Sequence, residues 1–271
     1  MDDYAVRPNL DVSGVGSASG GVYQNVTIQG VSKIHHDIDC LRCDLEGVAE
    51  ILGHVRAQVL SVQGKAKIQG DVVADEVVVE GVTRMAGRCE AKHNMSLHGR
   101  VTIGGDVKAT SIWMDGSHVI EGQCSAQEVK LRGNHRISEG VFAESLSLTG
   151  ALCVGGSCET ERFEAHGVFV IDGLLSADEI LVRLERNSRV KEIGGAQIRV
   201  VRSKGSRFFQ RARRLTAEVI EGDDIYLEYT KADVVRGKRV TLGPGTEVNL
   251  LEYSSDFEKI GDAFVGRHKK L

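Results

Sequence analysis

Glycine recurs every seventeen residues at Gly30, Gly47, Gly64 and Gly81 and, after one extra residue, at Gly99, Gly116, Gly133, Gly150 and Gly167. A fixed short period held over most of a chain marks one structural unit stacked on copies of itself. A unit this small cannot bury its apolar face alone, so the period predicts a solenoid.

Counted from each glycine as zero, apolar residues fall at offsets two, four, eight, ten, thirteen and fifteen, as in Ala66, Ile68, Val72, Ala74, Val77 and Val79. They form three pairs. The spacing of two within a pair is the strand period, so both side chains of a pair point the same way. Three short strands per coil predict an all-β, three-sided rung with about 17 residues per coil. The columns are consistent. Offset four reads Ile34, Ile51, Ile68, Met85, Ile103, Ile120, Ile137, Val154 and Ile171, whereas offset ten is small, with Cys40, Ala57, Ala74, Ala91 and Ala109. Helical repeats would place apolar residues three and four apart, and no such stretch occurs here.

The one-residue slip between Gly81 and Gly99 falls at Lys92, His93 and Asn94, a polar corner. An extra residue inside a strand would send later side chains to the wrong face, yet Met95 and Leu97 resume the apolar register. A second glycine column at offset six (Gly53, Gly70, Gly87, Gly105, Gly122) marks another corner.

No Pro- or Ser-rich linker interrupts the periodic region, and both prolines, Pro8 and Pro244, lie outside it. Residues 1–21, with Asp2, Asp3 and a Ser/Gly stretch, read as a flexible N-terminal tail, and 22–183 as the regular coil. No eighteen-residue apolar run and no signal-peptide pattern occur, which predicts a cytoplasmic location.

Among six cysteines, Cys40 and Cys43 form a CxxC. Cys40, Cys43, Cys89, Cys124 and Cys158 occupy inward offsets, where cysteine acts as a small apolar residue; Cys153 faces outward. Alternate coils would separate Cys89, Cys124 and Cys158 by about 10 Å, too far for bridges. His118 and His135 share offset two on adjacent coils, but no carboxylate or thiol completes a ligand set in that column. His98 and His166 precede corner glycines and are expected to face solvent. GxSxG, HExxH, P-loop and GxGxxG patterns are absent, and the coils from Gly30 to Val182 carry no insertion longer than one residue on which to build a site. No catalytic, cofactor-binding or metal-binding residues are therefore assigned.

A shorter period follows over 184–253. Ile220-Glu-Gly222-Asp-Asp-Ile225 aligns with Val235-Arg-Gly237-Lys-Arg-Val240 fifteen residues later and with Ile193-Gly-Gly195-Ala-Gln-Ile198 earlier. Superposition pairs Glu221 with Arg236, Asp223 with Lys238 and Asp224 with Arg239, opposite charges that would fix strand register. An insertion at 201–216 interrupts this block. Between Arg199 and Arg214 there are seven basic residues and no acid, with Phe208 beside Phe209. Two readings fit. Arg207, Phe208, Phe209, Arg211, Arg213 and Arg214 contact an anionic membrane surface, or the segment is a solvated loop whose phenylalanines pack back on the coil. One short patch supplies few phosphate contacts, so nucleic acid is not expected as a partner.

The repeat unit Gly64-Lys-Ala-Lys-Ile-Gln-Gly70-Asp-Val-Val-Ala74 resembles the bactofilins, polymer-forming bacterial cytoskeletal proteins. The resemblance covers residues 22–183, and Ser188-Arg-Val-Lys-Glu-Ile-Gly-Gly195 with Ile220-Glu-Gly-Asp-Asp-Ile225 is similar to the long Gram-positive type. It implies a right-handed parallel β-helix and nucleotide-independent self-assembly through terminal coils, with the chain itself as partner and no cofactor. At the amino end the assembly face would comprise Val26, Ile28, Ile34 and Ile38. Residues 254–271 would form a C-terminal tail or cap. The reading is a non-enzymatic scaffold, with an acyltransferase-like β-helix enzyme or ligand-binding protein as the alternative; a polar pocket in the coil surface would favour the latter.

Overall fold

A computed structural model describes residues 7–203 and 213–271. It is all-β, with no helix among those residues and every strand pairing parallel. The chain divides into two compact units, Met1–Glu128 and Val129–Leu271.

Unit 1 contains β1 (Leu10–Ala18), β2 (Gly21–Val22), β3 (Asn25–Ile34), β4 (Ile38–Ile51), β5 (Val55–Ile68), β6 (Val72–Met85), β7 (Cys89–Ile103), β8 (Val107–Lys108) and β9 (Ser111–Ile120). The predicted columns are hydrogen-bonded neighbours. Ile34 pairs with Ile51, Ile51 with Ile68, Ile68 with Met85, Met85 with Ile103 and Ile103 with Ile120. All six side chains are at most 1% exposed. The slip lies where expected: Ala74 pairs with Ala91 but Glu76 with Asn94, so the extra residue is absorbed at a corner and the next strand keeps its inward face.

A second device holds the corner after the offset-six glycines. Asp37 Oδ1 accepts the amide of His54 (2.8 Å), His54 Nδ1 that of Asp71 (2.9 Å), and Asp71 Oδ1 that of Arg88 (3.1 Å). Farther on, Asp106 Oδ1 accepts the amide of Gln123 at 2.9 Å. Each side chain caps the corner N–H one coil later, where the chain bends away from the strand ladder and the donor would otherwise lack a protein acceptor.

Residues 10–18, assigned from sequence to a flexible tail, form β1 instead. β1 pairs with β3 over its full length, Leu10 on Val26 through Gly14 on Gly30 to Ala18 on Ile34. The step here is sixteen residues, which hid Gly14, itself at positive φ, from the seventeen-residue glycine count.

Unit 2 contains β11 (Val141–Val154), β12 (Cys158–Glu159), β13 (Arg162–Ser176), β14 (Glu179–Leu184), β15 (Ser188–Arg202), β16 (Leu215–Leu227), β17 (Thr230–Leu242), β18 (Glu247–Lys259) and β19 (Phe264–Lys270); β10 (Cys124–Ile137) spans the division between units. Ile193 pairs with Ile220 and Ile198 with Ile225, then Ile220 with Val235 and Ile225 with Val240, as the alignment requires. The fifteen-residue step holds only from β16 to β17. From β17 to β18 it is sixteen, then seventeen after an irregularity between Gly237 and Arg239, and it is seventeen from β18 to β19. Residues 254–271 thus lie largely in β18 and β19, as a further coil.

Candidate functional site

β1 forms the end of unit 1. One edge bonds to β3, and no described strand pairs with the other. An open strand edge is a template for another chain unless it is blunted by charge, proline or a bulge. Here the columns that fill the core are still apolar: Leu10, Val12 and Ala18 stand over Val26, Ile28 and Ile34, and each is only half-buried. Val15 is 88% exposed. The segment is anchored by Arg7 to Asp39 (2.9 Å) and by the Gln24 amide to the Pro8 carbonyl (2.8 Å).

This geometry corrects the residues expected at the amino end. Val26, Ile28, Ile34 and Ile38 are at most 1% exposed and form the first closed layer. β1 covers the first three, and Gly21 of β2 pairs with Ile38.

The last strand of unit 2 differs in character. In β19, His268 stands in register with the buried Leu251, and the exposed strand carries Arg267, Lys269 and Lys270. Phe257 stacks at a tilt between Tyr253 (5.6 Å) and His268 (6.1 Å). Lysine on an edge strand and a polar residue in a core column both disfavour further coil stacking.

Of the basic insertion, Arg207, Phe208, Phe209 and Arg211 lie outside the described residues. Arg213 donates to the Ser203 carbonyl at 3.0 Å, and Arg214 pairs with Glu247 at 2.9 Å. On the strands beside them, Arg199 lies over the Tyr226 ring (4.5 Å) and Arg202 over that of Tyr229 (4.7 Å). Tyr226 donates to Glu228 Oε1 at 2.8 Å, and that bond to a carboxylate raises the phenol's pKa. None of these arginine neighbours was legible in the sequence, because the tyrosines come from the next coil, beyond the insertion.

The opposite-charge pairs form: Lys238 with Asp223 (3.0 Å), Arg236 with Glu221 (3.8 Å), and Arg239 with Asp224 through both guanidinium donors. Arg236 also reaches Glu252 on β18 at 2.8 Å.

None of the six cysteines is in a disulfide; five are buried and Cys153 is half-exposed. Burial pushes the thiols of Cys89 and Cys124 up to about 12. His118 is 2% and His135 4% exposed, each within its own unit. His98 is half-buried, edge-on to Trp113 at 5.1 Å, and His166 pairs with Glu185 at 3.0 Å. Among the described residues, no three His, Cys, Asp or Glu side chains are grouped to hold a metal ion. A shallow groove of about 490 Å³ runs along unit 1; Asp37, His54, Asp71 and Arg88 of its lining belong to the corner ladder, and Asp39 and Arg56 are its other charged residues. No described helix is long and apolar enough to cross a membrane.

A family model described as bactofilin, polymer-forming cytoskeletal, matches residues 23–125. The chain is similar to two uncharacterized proteins of Bacillus subtilis (strain 168). It is 49% identical to YhbF over 82 residues, 30% of this chain and 34% of YhbF. It is 40% identical to YhbE over 105 residues, 37% of this chain and 44% of YhbE. The matched segments span less than half of either relative. No solved structure matches the chain.

Proposed function

Because the chain carries a bactofilin domain at residues 23–125, we propose that it is a non-enzymatic cytoskeletal scaffold that assembles with copies of itself through the open end of unit 1. One observation carries the reading: among the described residues β1 keeps an unpaired edge, and it places half-exposed apolar residues, Leu10, Val12 and Ala18, in the core columns. A second copy laid against that edge would satisfy its backbone groups and bury those side chains. The exposed edge of β19 carries Arg267, Lys269 and Lys270 and places His268 over Leu251, charge and polarity that disfavour stacking there, so assembly is directed to β1.

Sedimentation velocity at rising protein concentration, without nucleotide, tests this. Growth of species heavier than one chain is expected; a single concentration-independent monomer would overturn the reading.

The scaffold would work in the cytoplasm, with a peripheral contact between the basic insertion and the anionic inner membrane face. The run of bases from Arg199 to Arg214 supports this contact. Co-sedimentation with anionic and zwitterionic vesicles, for the parent and an Arg211→Glu/Arg213→Glu variant, tests it. Arg214 is left intact because it already serves Glu247. Pelleting of the parent with anionic vesicles only, reduced in the variant, is expected. Equal pelleting of both proteins would remove the membrane from the account.

A further inference from the structure

Two outer faces of unit 1 meet at the corner made by the seventeen-residue glycines, and they carry opposite charge. On β3–β7, the outward positions one and three residues after each glycine include Lys33, Lys65, Lys67, Arg84 and Arg100 against a single acid, Glu50. The outward positions one and three residues before each glycine include Asp44, Glu46 and Glu80 and no lysine or arginine. Strand alternation keeps both sets outside, because the residues between them, such as Ala66 and Val79, are buried.

Part of this charge is neutralised within the coil. Glu50 bridges Lys33 (3.1 Å) and Lys67 (2.9 Å), and Arg42 at a neighbouring corner engages Asp44 (2.7 Å). The remainder is not. Lys65, Arg84 and Arg100 on one face, and Glu46 and Glu80 on the other, are exposed and make no ion pair among the described residues.

The unneutralised charges share a spacing. Lys65 and Arg100 are two coils apart, as are Glu46 and Glu80, which places each couple about 10 Å apart along the axis. In the same column as Lys65 and Arg100 the other coils carry Val31, Val48 and Val82, which are 50%, 42% and 50% exposed, so the cationic face also offers apolar surface.

We propose that the cationic face of one copy docks on the anionic face of a second copy, joining them side by side with their coils in step. The contact is heterologous: the joined pair keeps one anionic face free on the first copy and one cationic face free on the second, so lateral association is open-ended. It differs from stacking at β1 in the surface used and in its dependence on salt. Stacking there is apolar and main-chain, whereas the lateral contact weakens as the screening length falls from about 30 Å in 0.01 M salt to about 3 Å in 1 M.

The test uses the full chain carrying Val12→Asp, which suppresses assembly through β1, so that failure of one contact is read separately from failure of the other. At low salt this protein is expected to form lateral oligomers in sedimentation velocity that dissolve at high salt. Adding Lys65→Glu/Arg84→Glu makes both faces acidic, and adding Glu46→Lys/Glu80→Lys makes both basic. Each variant alone is expected to lose the oligomers, and an equal mixture of the two to regain them. Thermal melts confirm that each variant is folded; should either fail, Lys65→Gln/Arg84→Gln is the substitute, expected to weaken association. Oligomers that survive the face variants, a mixture that stays monomeric, or a low-salt parent without lateral species would each overturn the proposal.

Discussion

Gly47 stands directly over Gly30 in the coil below, so close that a Cβ on Gly47 would lie 2.5 Å from the Gly30 carbonyl oxygen. Its φ of 102° is also closed to other residues without strain. Both facts explain the column: the chain turns its corner at a glycine, and successive corners touch backbone to backbone. Gly47→Ala is expected to cost about 2–5 kcal/mol from strain and overlap, a fall in melting temperature of at least about 5 °C. Gly194→Ala is the control. Its nearest atom would be Leu174 Cδ1 at 3.9 Å, so the change should stay within about 0.5 kcal/mol. Equal melting of the two variants would contradict the role given to the corner.

Glu50 provides a pH signature. Hydrogen bonds from Lys67 and Lys33 lower its pKa from 4.5 to about 2. A carboxylate depressed in the folded state stabilises it fully above the unfolded value and loses that contribution as pH falls toward the folded one. The parent should therefore melt above Glu50→Gln at neutral pH, with the gap closing between about pH 4.5 and about pH 2. Melting curves across that range decide it; a gap independent of pH would exclude the Lys33–Glu50–Lys67 ladder as its source.

The charge alternation between β16 and β17 yields a reversal experiment. Arg239→Asp places two acids opposite each other and should lower the melting temperature, while Asp224→Arg added to it should recover most of the loss. The whole effect should shrink in high salt, since both groups are at the surface. A double variant no better than the single would mean that register is held without this pair.

Thiol chemistry checks the inward columns. Cys153 alone is half-exposed, whereas Cys89 and Cys124 are buried with thiols raised to about 12. A thiol reagent at mildly alkaline pH should modify Cys153 first and the buried cysteines only on unfolding. Rapid native modification of a Cys153→Ser variant at Cys89 or Cys124 would show that the columns open to solvent.

Much of this molecule was legible because a coil repeats its errors visibly. Ile34 over Ile51 over Ile68, the slip at Lys92–Asn94, and the pairing of Asp224 with Arg239 were all read from spacing alone, since neighbours in a parallel coil are neighbours at a fixed sequence distance. Reading failed where that distance changed. β1 steps by sixteen residues and in its second half puts small residues in the core columns, with Gly16 over Ser32 and Ala18 over Ile34, so it passed for a tail, and the first coil was placed one turn too far in. The corner ladder of Asp37, His54 and Asp71 was missed because its column mixes residue types and shows its logic only in the hydrogen bonds. The arginine–tyrosine stacks were hidden by the insertion, which breaks the count between Arg199 and Tyr226.

The account rests on β1 being the end through which copies join. Electron microscopy of the parent beside Val12→Asp, at matched concentration in high salt where lateral contacts are screened, tests it most directly. Extended assemblies for the parent and short isolated particles for Val12→Asp are the predicted result; indistinguishable particles in both samples would contradict it.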